Sequence, residues 1–226
     1  LIRDHGIGGA VGFVEAVAGE LSAQVEDARG LVRRHVVLLG ALHRRVRGYG
    51  RRELFARPAG DPRRGVAYAF GKGMSPAAKE SAREHLPTWF AGAGYHLGVF
   101  AGLGYLALLL VGVEPDGFLR SGMQALLLAG GLCGTGLLAR RAFTPRLRGL
   151  SCPDDFLSNL LATAFATLAF ARTISPHLHA AFLAETMLLF LWVPLGKIRH
   201  CLFFFTTRYH MATHFGRRGT FPPGTI

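Results

Sequence analysis

The 226-residue chain is half hydrophobic and strongly basic, with 26 Lys and Arg against 14 Asp and Glu. A water-soluble domain so charged would point to nucleic acid, but here the charges lie between long apolar runs, as in membrane proteins, so no nucleic-acid partner is expected. Cys133, Cys152 and Cys201 have neither CxxC spacing nor an even count, which argues against a disulfide framework and leaves them as small apolar fillers.

No cleavable leader is expected at the N-terminus. Before residue 88 no run reaches the roughly 20 apolar residues that a crossing needs. Residues 6–19 are interrupted by Glu15, and residues 36–42 are bracketed by Arg33, Arg34, Arg44 and Arg45. Val11, Val14, Ala18, Leu21, Val25, Ala28 and Val32 instead follow a 3-4 spacing. That predicts an amphipathic helix over 10–33 with a narrow apolar stripe, suited to a partner or the bilayer surface. The same stripe would also serve a helix covering this protein's own loops. From Arg44 to Arg83 the chain is rich in Gly, Pro and Arg and reads as a loop. A short surface helix closes it, with Ser75 as N-cap and Pro76 first in the helix.

Four apolar runs follow, at about 88–113, 119–139, 154–174 and 180–206. The third opens on Asp154 and Asp155, favourable at the positive end of a helix dipole. A helix satisfies its own backbone, which crossing lipid requires. The fold class predicted is all-α: a membrane bundle of four transmembrane helices with an N-terminal amphipathic cytoplasmic segment.

Fifteen Lys and Arg precede the first predicted span, and Arg140, Arg141, Arg146 and Arg148 lie between the second and third. Five more lie from Lys197 onward, leaving only Arg120 and Arg172 on the opposite side. By the positive-inside rule the basic side is cytoplasmic, and both termini are expected there.

Ionisable groups inside a span are costly and are functional hypotheses by default. His96 lies about 12 Å below the cytoplasmic end of the first span, at 1.5 Å per residue. His200 lies near the cytoplasmic end of the fourth, after Lys197 and Arg199. Two such imidazoles could give a b-type haem its axial nitrogens, with small residues such as Gly92 and Gly94 admitting the ring and Lys197 and Arg199 neutralising its propionates. The other reading has His96 hydrogen-bonding a neighbouring helix and His200 at the interface. Glu185 is the acidic residue well inside a span, with Arg172, His177 and His179 near that end. It could exchange protons with a quinol together with His179, or pair with Arg172 for structure alone.

Several motifs recur in a telling order: Arg47-Gly48-Tyr49-Gly50, Gly73-Met74, Tyr95-His96-Leu97-Gly98 and Phe143-Thr144-Pro145-Arg146-Leu147-Arg148. Pro194-Leu195-Gly196-Lys197-Ile198-Arg199-His200 and Phe215-Gly216-Arg217-Arg218-Gly219 complete the series. The order resembles the membrane cytochrome b (gamma) subunit of respiratory nitrate reductase. It also resembles relatives in Dsr-type sulfite-reductase-associated and heterodisulfide-reductase-like complexes. The resemblance implies electron transfer between membrane quinone and a cytoplasmic iron–sulfur partner through haem b. The family has five spans and usually two haems on four histidines. Here His96 and His200 match the cytoplasmic pair, while Leu106 and Phe182 stand where the other pair would be. The place of the family's first span is the charged stretch around 31–47.

The sequence thus predicts a one-haem, cytochrome b-type anchor of a respiratory complex in a prokaryotic inner membrane. Residues 1–87 would form a cytoplasmic helix and basic loop, 88–206 the haem-binding bundle and 207–226 a basic tail. A peripheral redox subunit, lipid and quinone are the expected partners, and a haem-free anchor is the alternative. A transporter would call for an internal repeat or broken helices, and no repeat is visible among the four runs.

Overall fold

The apolar runs fold as helices. In the computed structural model, which describes residues 7–48 and 59–223, no strand occurs among the described residues. Helix α1 (Ile7–Gly48) is longer than its predicted 10–33 and runs through the arginines at 33–47. Arg, Leu, Val and Ala all tolerate a helix, and the first proline of the chain is Pro58. The side chains of its stripe are described from Val25 onward. There Ala28 and His35 are buried, and Val25, Val32, Leu39 and Leu42 are half-buried among more exposed neighbours. The stripe residues Val11, Val14, Ala18 and Leu21 lie outside the residues whose side chains are described.

Residues 49–58 of the predicted loop, and with them Tyr49 and Gly50 of the first motif, lie outside the described residues. The loop reading gives way at α2 (Pro62–Phe70), where the Asp61 carboxylate accepts from the Arg63 N–H at 2.8 Å and Pro62 opens the first turn. Ser75 caps as expected, its hydroxyl accepting from the Ala77 N–H at 3.1 Å, but the helix over Pro76–Ala78 is a single 3-10 turn. A short α3 (Glu80–Glu84) follows.

The next elements are α4 (Leu86–Leu110), α5 (Gly117–Phe143), α6 (Pro145–Gly149) and α7 (Pro153–Ile174). At the start of α7, Asp155 accepts from the Cys152 N–H at 2.9 Å. Helices α4, α5 and α7 are long and apolar enough to cross a membrane. The fourth predicted span is not one helix. It divides into α8 (His179–Trp192) and α9 (His200–Arg217), joined through a 3-10 turn at Lys197–Arg199. Pro194 lacks an N–H and disfavours helix in the residue before it, so α8 stops just short of it. The candidate crossings are therefore three, or four if the broken pair forms one.

The chain divides into two compact units, Leu1–His35 with Gly94–Trp192 and Val36–Ala93 with Val193–Ile226. In the first, α5 packs on α7 and α7 on α8. Glycine sets the approach of α4 to α5: a Cβ on Gly98 would meet the Leu126 oxygen at 2.9 Å and the Gly130 Cα closer still. Phe165, Leu127, Phe182 and Tyr105 fill the interior. In the second unit α2 packs on α9, with Gly65 against Gly216. The Arg208 guanidinium donates to the Ala69 and Gly73 carbonyls at 2.7 and 3.2 Å and lies over the Phe70 and Phe204 rings.

Candidate functional site

The two predicted haem ligands belong to different units and are described separately. His96 is exposed on α4. Its neighbour Tyr95 turns the other way, its hydroxyl donating to the Asn159 carbonyl at 3.0 Å and accepting from Thr163 Oγ1 at 3.1 Å. Gly134 makes room for that ring: a Cβ there would meet Tyr95 Cε2 at 2.6 Å. Tyr95, Gly98 and Gly102 together fix the covered face of α4, and His96 lies off that face. Gly92, one turn earlier, has open space where a Cβ would stand.

His200 opens α9, exposed, with Lys197 and Arg199 also exposed in the preceding turn. Its Nδ1 donates to the Lys197 carbonyl at 2.7 Å. A hydrogen bond on one ring nitrogen is the usual device for orienting a histidine whose other nitrogen binds a metal. Two imidazoles are the donor chemistry that a b-type haem takes. Gly94, also expected to admit the ring, instead faces Cys133, whose Sγ a Cβ there would meet at 3.1 Å.

The positions matching the family's second pair are packed interior. Leu106 and Phe182 are both buried, and the Phe182 ring lies 5.6 Å from Phe165 and 5.9 Å from Tyr105.

The polar residues of the first unit gather at two ends. At the near end, the start of α7, Trp192 Nε1 donates to Ser158 Oγ at 3.0 Å and Arg141 pairs with Asp155 at 3.5 Å. At the far end Arg172, only 9% exposed, spreads its guanidinium over three partners. It donates to Glu114, to the Tyr105 hydroxyl at 3.2 Å and to His179 Nδ1 at 3.2 Å. Arg120 donates to the Thr173 carbonyl beside it.

Glu185 stands apart from this cluster. Its Oε1 is buried with no hydrogen-bond partner in the protein, so the pairing with Arg172 that the sequence allowed does not form. His179 is held by Arg172, and no hydrogen bond joins it to Glu185.

In comparisons with known proteins, no family model, curated protein or solved structure matches the chain.

Two features escaped the sequence reading. Tyr105 and Glu114 complete the Arg172 cluster from 67 and 58 residues away, a separation that no spacing rule connects. His35 is buried at 6% exposure, its Nδ1 donating to the Leu31 carbonyl at 2.9 Å and its ring 5.9 Å from Phe190. It follows Ala28 by seven residues, so continuing the stripe past residue 33 would have found it.

Proposed function

We propose that the chain is the cytochrome b-type membrane subunit of a respiratory oxidoreductase complex, passing electrons between membrane quinone and a cytoplasmic iron–sulfur partner. The order of the matched motifs carries the reading, and the exposure of His96 on α4 and the hydrogen bond from His200 Nδ1 to the Lys197 carbonyl support it. In this reading His96 and His200 hold one haem b, and Lys197 and Arg199 offset its propionates. The haem, once bound, supplies one-electron carriage within the membrane. The buried Leu106 and Phe182 support a single haem, since neither offers iron a lone pair and their surroundings are already filled.

The membrane is the inner membrane of a prokaryote, crossed by α4, α5, α7 and the broken α8–α9 pair. The 140–152 connection and both termini are cytoplasmic, as the distribution of basic residues favours. Arg140, Arg146 and Arg148, all exposed, offer a basic surface that steers an acidic redox partner. At the far end Glu185 exchanges protons with quinol. His179 serves this role only by giving up its bond to Arg172.

A haem-free anchor is the second reading, and it needs no more than the apolar helices. The break between α8 and α9 does not revive a transporter, because such folds pair broken helices in corresponding positions and no counterpart break occurs in α4, α5 or α7. A reduced-minus-oxidised spectrum of the purified chain tests the proposal. A b-type absorption lost in both His96→Ala and His200→Ala supports it, and a chain with no such absorption leaves the anchor.

A further inference from the structure

We propose that Arg172 and His179 form a pH-sensitive clasp between α7 and α8, closed while the His179 imidazole is neutral and released when it takes up a proton. The inference rests on the packing of the first unit alone and is independent of the haem and of quinol.

The clasp is built from groups whose roles are fixed. A guanidinium only donates hydrogen bonds, and it stays charged at every working pH. The Arg172 Nε–H points at His179 Nδ1 at 3.2 Å. That nitrogen must therefore present a lone pair, so the ring is neutral and carries its hydrogen on Nε2. A proton on Nδ1 would set two N–H donors, each on a cation, face to face across the same gap. The hydrogen bond then becomes a repulsion.

Neither side chain can swing clear without disturbing its helix. Arg172 is buried on α7, and its other nitrogens are held by Glu114 and by the Tyr105 hydroxyl at 3.2 Å. His179 is half-buried in the first turn of α8. One turn further on, Phe182 is buried with its ring against Phe165 and Tyr105. Protonation of His179 thus opens the first turn of α8 from α7, while Phe182 keeps the rest of the helix docked.

The other charged and titratable groups around the pair do not cancel the effect. Glu114, in the connection after α4, binds Arg172 rather than His179 and is 59% exposed. Tyr105 on α4 stays neutral in the acid range. Arg120 on α5 donates to the Thr173 carbonyl and adds a further positive charge. His177 is exposed in the 3-10 turn ahead of α8. Glu185 lies six residues along α8, its buried Oε1 without a hydrogen-bond partner. The stabilisation from the clasp is therefore present above the imidazole range, about pH 6.5 in water, and is lost as pH falls through it. In the orientation proposed above, this end answers to the pH on the side away from the cytoplasm.

Thermal unfolding in detergent and hydrogen exchange of residues 176–186, on the full chain at about pH 8 and about pH 5.5, test the clasp. Asparagine places Oδ1 where histidine has Nδ1, so His179→Asn keeps an acceptor for Arg172 that does not titrate. On acidification the parent should lose about 2–4 °C of Tm more than His179→Asn does. Its 176–186 segment should exchange faster than that of His179→Asn only at the lower pH. His179→Leu should melt below the parent at the higher pH, and His177→Asn should respond to pH as the parent does. Equal pH responses in the parent and His179→Asn would overturn the clasp. So would His179→Leu as stable as the parent at the higher pH, or a response abolished by His177→Asn.

Discussion

Arg172 on α7 pairs with Glu114 in the connection after α4, while its other nitrogens hold Tyr105 and His179. One nearly buried guanidinium thereby ties α4, α7 and α8 together at one end of the bundle. The two partners of the ion pair should respond unequally. Arg172→Met leaves a buried tyrosine hydroxyl without its partner and should cost about 1–3 kcal/mol. Glu114→Gln should cost less, because Glu114 is 59% exposed and water screens its loss. Arg172→Lys should not rescue the variant, since an ammonium cannot replace a planar fork with three separate partners. Thermal unfolding in detergent measures all three, and equal effects of the two truncations would count against the cluster as drawn.

The glycines divide into two kinds, and substitution separates them. Gly98→Ala drives a methyl into Leu126 and Gly130 on α5 and should destabilise by about 1–3 kcal/mol through overpacking. Gly136→Ala, on the same α5, meets open space and should be neutral or stabilising by up to about 1 kcal/mol, the helix-propensity difference. Comparable losses from both would mean that α4 and α5 do not cross at Gly98.

The boundaries of α4, α5 and α7 were legible because apolar runs flanked by Arg, Asp and Pro leave few alternatives. Asp154 and Asp155 fall in the first turn of α7 as the dipole argument requires. The Ser75 cap was legible from Ser-Pro alone. Two departures from the expected boundaries have clear causes. The stripe on α1 was cut at the arginines of 33–34, although nothing in their chemistry ends a helix. The fourth run was joined across Pro194 and Gly196 because its hydropathy hides two breakers. The Arg172 cluster could not have been read, since its partners come together only once α4 and α7 have packed.

Glu185 tests the proton-handling part of the proposal. With one carboxylate oxygen buried and unpartnered, it contributes little to the fold. Glu185→Leu should therefore leave thermal stability unchanged or slightly higher. Glu185→Gln should slow quinol-dependent electron flow and flatten its dependence on pH. Unchanged flow with an unchanged pH profile in Glu185→Gln would remove this residue from the mechanism.

The haem count tests the central claim most directly. Coordination by two imidazoles needs a pair of histidines, in the proposed reading His96 and His200, and the buried Leu106 and Phe182 offer iron no further ligand. Pyridine haemochrome quantification against protein concentration, on the isolated chain, should give one haem b per chain. His96→Ala and His200→Ala should each lose the signal while keeping the helical content of the parent. Two haems per chain, none, or a normal spectrum in either folded variant would contradict the account.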